Sequence, residues 1–344
     1  MPLTLYVDEA RWRAHQKQVR DAHPALVPVL KGNGYGFGVE RLAGEAAALG
    51  VDTVAVGTYP EVGRVVERFT GSVMVLSPWR PFETRAVFDT HVVHTVGRLE
   101  DLRNLGGQGV KPRVVLERLT SMRRHGFSAR DLREAAGLLD DVAVEGVALH
   151  LPISKGSHLG EVTRLMTDVV AAGLPTQRVY VSHLTDTELG SLRQSYPDFE
   201  FRPRIGTSLW LGDREAFAVR ATVLDVHPVE RGDVYGYRSR TAPANGTILV
   251  VAGGTANGIG LEAPTGGATL RDRAVRLAQG GLDAAGFVRS PYTVDGKHRL
   301  FAEPPHMQAS MLFLPGGATV PAVGDEVDVR VRLTATSFDE TVLR

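Results

Sequence analysis

A lysine closing an apolar run is the first point in this sequence that implies chemistry. Val27-Pro28-Val29-Leu30 is short, rich in Val and Leu and bounded by turn residues, so it reads as a buried strand ending on Lys31. Lysine is rarely fully buried unless paired. Desolvation disfavours its charged form, lowers its pKa and frees the amine as a nucleophile, which is what Schiff-base chemistry with a carbonyl compound needs. Gly32, Gly34, Gly36 and Gly38 follow within seven residues and let the backbone come close to a ligand such as a phosphate. Two readings stand at this point: a reactive amine beside a ligand loop, or an ordinary strand-to-turn junction whose lysine reaches solvent. A P-loop is excluded by order, because there the lysine follows the glycines and a Ser or Thr comes next.

The elements that would position Lys31 recur along the chain. Strand-like runs occur at 26–30, 53–56, 73–76, 92–93, 114–116, 144–149, 179–181 and 200–202, with helix-like stretches at 39–49, 60–69, 129–139, 161–172 and 185–194. This alternation predicts a (β/α)8 TIM barrel over a doubly wound sheet, because eight strands are counted. Barrel chemistry sits on the loops after the carboxyl ends of the strands. There the sequence places Lys31, the segment from Leu119 to Phe127 with Arg123, Arg124 and His125, then His150, Ser182-His183 and Arg204-Ile205-Gly206-Thr207. Any one of these fits an ordinary loop residue; their recurrence at one point of the strand cycle favours a shared site.

From about residue 217 the helices stop. Strand-like runs at 222–227, 247–252, 299–302 and 327–333 are separated by Pro-Ala-Asn-Gly, Pro-Gly-Gly and Val-Gly-Asp turns, which predicts a second, mainly antiparallel β domain. Leu3, Leu5 and Val7 alternate with polar neighbours and add an N-terminal strand, and a helix capped by Asp8 follows. The expected division is a barrel over 9–217 and a β domain over 218–344 with 1–8.

The chain has 344 residues, enough for two domains, with 39 Lys+Arg against 39 Asp+Glu. A zero net charge argues against nucleic acid as the main partner. With no cysteine there are no disulfides and no thiolate metal sites or thiol catalysis. No apolar stretch nears the roughly 20 residues that span a bilayer. The N-terminus lacks a basic region followed by a long apolar one, so the expectation is a cytoplasmic protein with neither a membrane nor a metal site.

Lys31-Gly-Asn-Gly-Tyr35-Gly-Phe-Gly38 resembles the K-A-N-A-Y-G-H-G signature of the alanine racemases, fold-type III enzymes whose lysine carries pyridoxal 5′-phosphate (PLP). Thr120-Ser-Met-Arg-Arg124-His-Gly126-Phe127 is similar to the family's T-G-M-G-R-x-G-F, which implies that Arg124 faces the cofactor's phenolic oxygen. Glu117 falls where many members carry a carbamylated lysine. His150 matches the histidine of the sixth strand. Arg204-Ile-Gly206-Thr207 resembles R-x-G-I, implying an arginine at the pyridine nitrogen and phosphate binding beyond it. Tyr35, Ser182, Gly206 and Thr207 are then the implied phosphate ligands, and Arg124 and Met307 the implied substrate contacts. An arginine at the ring nitrogen keeps it unprotonated, which suits simple proton exchange at an amino acid α-carbon through a Lys31 Schiff base.

Gly232-Asp-Val-Tyr-Gly236-Tyr237-Arg238 and Val323-Gly-Asp-Glu-Val327 extend the resemblance into the last third. There the chain also departs from the family. The family's I-G-Y-A-D-G carries a second catalytic base, a tyrosine lent by the partner subunit of a homodimer; this chain reads Gly253-Gly254-Thr255-Ala256-Asn257-Gly258. A threonine hydroxyl is far less acidic than a phenol, and it reaches less far. His306 stands where the family has a cysteine, and Gln308 replaces an aspartate. The expected catalytic set is therefore Lys31 with Thr255 or His306, on a substrate that alanine does not exhaust. The competing expectations are another PLP reaction on this scaffold, such as a decarboxylation or racemisation of a different amino acid, and a PLP-binding protein without turnover.

Overall fold

The computed structural model describes residues 2–108, 111–153, 156–261 and 288–344. The chain divides into two compact units: Arg13–Asp213, and Met1–Trp12 with Arg214–Arg344. The division falls inside the first helix, whereas the sequence suggested a boundary at its start.

In chain order the first elements are β1 (Leu3–Val7), α1 (Glu9–Ala22), β2 (Val27–Pro28), α2 (Val39–Ala48), β3 (Thr53–Val56), α3 (Pro60–Val66), β4 (Ser72–Val75), β5 (Val92–Val96) and α4 (Leu99–Gly106). Then come β6 (Arg113–Arg118), α5 (Ala129–Ala135), β7 (Ala143–His150), α6 (Leu159–Ala172), β8 (Arg178–Ser182), α7 (Asp186–Ser195), β9 (Glu200–Ile205) and α8 (Thr207–Leu211). Strands β2 to β9 form one parallel sheet ordered β2-β9-β8-β7-β6-β5-β4-β3. It closes where Val29 bridges Ala55 and the Leu30 N–H donates to the Ala55 carbonyl at 2.7 Å. The result is the (β/α)8 barrel. Regular β2 is only two residues long, because Pro28 has no N–H for the ladder, but Val29 still donates to Ile205 at 2.9 Å.

The helices form for local reasons. Val39, Leu42, Ala43 and Ala46 put one buried stripe on α2, the spacing of an amphipathic helix. The Asp8 carboxylate accepts from the Arg11 N–H at 2.9 Å and caps α1. Thr185 and Glu188 close a capping box on α7, and Gly173 ends α6 in the left-handed conformation.

Inside the barrel, Val27, Val29, Ala55, Met74, Val93, Val115, Ala148 and Tyr180 form the core. Side chains alternate between the faces of a strand. The next inward positions toward the carboxyl ends are therefore Lys31, Glu117, His150 and Ser182, and Arg204 lies on the same face two residues beyond Arg202, which pairs with Tyr180. At the other end, the Arg202 guanidinium lies 5.6 Å from the Tyr180 ring centroid and is paired with Asp52.

The second unit contains β1 with β10 (Phe217–Val229), β11 (Val234–Tyr235), β12 (Arg240–Thr241), β13 (Gly246–Ala252), β14 (Arg289–Val294), β15 (Lys297–Phe301), β16 (Ala309–Pro315), β17 (Glu326–Val329) and β18 (Glu340–Leu343). Its main sheet runs β13-β16-β15-β14-β17-β10-β1-β18 and closes on itself through β10 and β13. The pairing is antiparallel except for β1 with β18. Long β10 serves several neighbours because a bulge between Val223 and Asp225 redirects it. Leu3, Leu249, Val251, Tyr292, Leu312 and Leu314 lie in its core.

Candidate active site

The barrel unit gathers Lys31, Glu117, Arg124, His150, His183 and Arg204 closely enough that their charges act on one another. The Lys31 pKa is lowered, first by desolvation and then by the charges of Arg124 and Arg204, while Glu61 opposes the shift. Lys31 itself is exposed at the barrel mouth. Glu61 is fixed by the loops it caps: its carboxylate accepts from the backbone N–H groups of Gly32 at 3.1 Å and Gly57 at 2.6 Å. The mouth of the barrel is thus locally cationic in a chain of zero net charge.

His150 and Ser182 pair across adjacent strands, with His150 Nδ1 2.8 Å from the Ser182 hydroxyl. Arg204 Nη2 donates to the same hydroxyl at 3.1 Å. Burial, followed by the charges of Arg204 and Arg124, holds the His150 pKa down at about 3, so the ring is neutral at physiological pH. The His183 ring packs edge-on to His150 at 5.3 Å and its pKa is also lowered, chiefly by burial. Arg204 is buried, and its Nε has no hydrogen-bond partner among the described residues. Buried Glu117 has its pKa raised by desolvation, against the lowering pull of Arg204 and Arg124.

Backbone geometry holds this arrangement. Tyr35 sits at φ +57°, Arg123 at +50° and His183 at +61°, a region that costs a non-glycine residue about 1–3 kcal/mol and recurs at functional sites. The loop that carries Arg124 is pinched shut where Leu119 and Phe127 hydrogen bond, and the Phe127 N–H also donates to Glu117 at 2.8 Å. Gly126 permits that neck, since a Cβ there would lie 2.4 Å from the Leu119 nitrogen. Gly206 has a similar role: a Cβ would lie 2.0 Å from the Tyr35 hydroxyl, so Tyr35 is seated against the Gly206-Thr207 turn. Burial pushes the Tyr35 phenol up to about 12, which keeps it a hydrogen-bond donor at neutral pH. An unpartnered arginine nitrogen, a neutral tyrosine donor and two further cations form a donor set suited to an anionic, carbonyl-bearing cofactor. The Ser182 hydroxyl, by contrast, is already engaged by His150 and Arg204.

The charge of Arg124 gives a direct test. Removing it in Arg124→Gln takes away a neighbouring positive charge that lowers the Lys31 pKa, so half-deprotonation of Lys31 should move to higher pH. The pH dependence of Lys31 acylation, read on its peptide by mass spectrometry, checks this; an unchanged midpoint refutes the coupling.

Thr255, His306 and Met307 belong to the β unit. A cleft of about 590 Å3 there is lined by Tyr237, Thr255, Glu303, His306, Met307 and Gln308, among others. The segments around Thr255 and His306 are zipped together: the Thr255 N–H donates to the His306 carbonyl at 2.8 Å and the Ala256 N–H to Met307 at 2.9 Å. Gly254 makes room, as a Cβ there would lie 2.2 Å from the His306 carbonyl oxygen. Sequence reasoning missed Glu303, whose side chain is 2% exposed and whose Oε1 lies 2.6 Å from His306 Nε2. It also missed Glu61. The available signals were an acidic residue three positions before His306 across Pro304-Pro305, and one in the first turn of α3.

A closed parallel barrel with a lysine at the end of its first strand, joined in the chain to an antiparallel β unit, is the architecture of the alanine racemases. The sequence model described as "Alanine racemase, N-terminal domain" matches residues 7–188, and the chain belongs to this family. It is 27% identical over 279 residues to an alanine racemase of Nitratidesulfovibrio vulgaris (Miyazaki F), covering 71% of this chain and 73% of that protein. An alanine racemase of Mycolicibacterium vanbaalenii is 26% identical over 277 residues, covering 72% and 70%. Among solved structures, the alanine racemase of Bartonella henselae with covalently bound pyridoxal phosphate superposes with a TM-score of 0.73 at 15% identity, over 100% of both chains. The histidine racemase of Leuconostoc mesenteroides superposes with a TM-score of 0.66 at 18% identity, over 99% of this chain and 90% of that one. At these identities the superpositions speak to the fold. No helix among the described residues is long and apolar enough to cross a membrane.

Proposed function

We propose that the protein is a PLP-dependent amino acid racemase of the alanine racemase type, working in the cytoplasm as a homodimer in which each β domain serves the partner's barrel. The observation that carries this reading is the cluster of Lys31, Arg124 and Arg204 at one barrel mouth, with the Lys31 pKa depressed and the Arg204 Nε left without a partner. These residues fit the cofactor. Lys31 would be its attachment point, Tyr35, Gly206 and Thr207 would meet its phosphate, Arg204 its ring nitrogen and Arg124 its phenolic oxygen, while Ser182 stays with His150 and Arg204. When bound, the cofactor supplies an electron-accepting ring that acidifies the α-proton of an amino acid.

The chain's own residues do the rest. The lowered pKa makes more of the Lys31 amine available to move the α-proton on its own face. Arg204 stays charged and so keeps a proton off the ring nitrogen. Neutral His150 holds the Ser182–Arg204 pair in place without adding a further positive charge. Arg124 and Met307 are the proposed substrate contacts. Thr255 is a weak candidate for the opposite face, because an aliphatic hydroxyl neither holds nor releases a proton readily near neutral pH.

The test is incubation with individual amino acids, alanine and histidine among them, in deuterium oxide. Exchange of the α-hydrogen with inversion is the expected result for at least one amino acid, with alanine slow relative to an ordinary alanine racemase. Cofactor capture without exchange on any amino acid would overturn the racemase reading in favour of a carrier, and loss of carbon dioxide would indicate a decarboxylase.

A further inference from the structure

One helix of the barrel unit grips the loop that carries Arg124 at two places. Arg118, the last residue of β6, is buried and lies on the face opposite the one Glu117 occupies. Its Nη1 donates to both carbonyls at the neck of the loop, to that of Leu119 and, at 3.0 Å, to that of Phe127. Its Nη2 donates to the Asp168 carboxylate of α6 at 2.8 Å, and its Nε to the same oxygen at 3.3 Å. About two turns earlier on the same face of α6 stands Glu161. It accepts from the Ser121 N–H at 2.7 Å and from the Ser121 hydroxyl at 2.8 Å, just inside the neck. A third tie comes from β7, where the His150 carbonyl accepts from the Thr120 hydroxyl at 2.7 Å.

An arginine on a surface loop has both side-chain and backbone freedom to lose before its charge stays in one place. Arg124 is exposed, yet its charge acts on Lys31, Glu117 and His150. A largely buried ion pair such as Arg118 with Asp168 adds little stability in itself, because desolvation offsets the attraction. What it adds here is geometry: the rigid fork of one guanidinium ties two loop carbonyls to a helix. We infer that Arg118, Asp168 and Glu161 are positioning residues for Arg124, with α6 as the rail to which the loop is fastened. Why Arg124 must be held rests on the racemase-type reading above; the holding itself does not. The charges that shift Lys31 are those of Arg124, Arg204 and Glu61, and Lys31 acts in turn on His150 and His183. Arg118 lies on the other face of β6, so loss of the clamp reaches Lys31 through the loop.

The pH midpoint of Lys31 acylation in the full-length, cofactor-free chain tests this. Arg118→Met and Glu161→Ala should each move the midpoint to higher pH, in the direction of Arg124→Gln but by less, because a loosened loop still brings Arg124 near Lys31 part of the time. Neither should move it further in an Arg124→Gln background, since residues that act through Arg124 cannot add to its loss. Asp168→Asn should reproduce part of the Arg118→Met shift. Glu161 is partly exposed, so Glu161→Ala keeps its fold and carries the test even if Arg118→Met does not. Lower stability to urea with an unchanged midpoint would show a structural role alone and overturn the inference. Shifts that add in full to that of Arg124→Gln would overturn it as well. Loaded with pyridoxal phosphate, the same variants should release it faster than the wild type. A wild type that retains none would overturn the racemase reading, while the midpoints still decide the clamp.

Discussion

Lys31→Ala should leave a folded protein that no longer yields a borohydride-fixed adduct with pyridoxal phosphate. Its α-proton exchange should fall by at least about 10² to 10⁴, the usual worth of a positioned general base, before the lost covalent step is counted. Folding should survive for an electrostatic reason. The Lys31 pKa is lowered in the folded chain, so the fold disfavours its ammonium, and below that pKa the charge is a burden. Stability therefore rises as pH climbs through the lowered value toward the unfolded one, and the alanine variant should lack this rise. The adduct is read by mass spectrometry after reduction and digestion. An adduct in the variant on Lys17, Lys111, Lys155 or Lys297 would show that the attachment point lies elsewhere.

Much of this was legible before any coordinates, and the reasons are physical. Lys31 announces itself because a strand written in Val and Leu ends on the one side chain least suited to burial, with glycines at once behind it. The placement of His150, Ser182 and Arg204 at the carboxyl ends of barrel strands follows from strands whose lengths could be counted. In the β unit the period was blurred. Along β16, Ser310, Leu312 and Leu314 face inward, but Met311 and Phe313 on the other face are half-buried and equally apolar, so no alternation shows in the sequence. The left-handed conformations of Tyr35, Arg123 and His183 were invisible, because nothing in a non-glycine residue signals positive φ. Glu303 was silent for a different reason. Its place beside His306 rests on a burial that only the folded sheet creates.

The largest effect on stability is expected at Arg204. It is buried with an unpartnered Nε, and its charge is the leading influence holding down the pKa of buried Glu117 against desolvation. In Arg204→Met that influence is gone, and Glu117 should titrate at still higher pH. A carboxyl whose folded pKa is raised favours the fold below its unfolded pKa, and that contribution is lost as pH rises through the folded value. The variant should therefore be destabilised most at high pH. We expect about 3 kcal/mol at pH 8, typical of a buried charge stripped of its compensating partner, and a much smaller loss at pH 5. Adding Glu117→Gln removes the carboxylate and should abolish most of this pH dependence. Urea denaturation of the cofactor-free single and double variants across pH 5 to 8 measures both effects. A loss that is equal at every pH, and unchanged by Glu117→Gln, would mean that Arg204 matters only through packing and its bond to Ser182. If the coupling holds, Arg204→Met should also weaken retention of pyridoxal phosphate at pH 5, where stability is nearly restored. A cation needed for the cofactor even at a pH where its loss scarcely affects folding is acting as a functional residue and not only as a structural one.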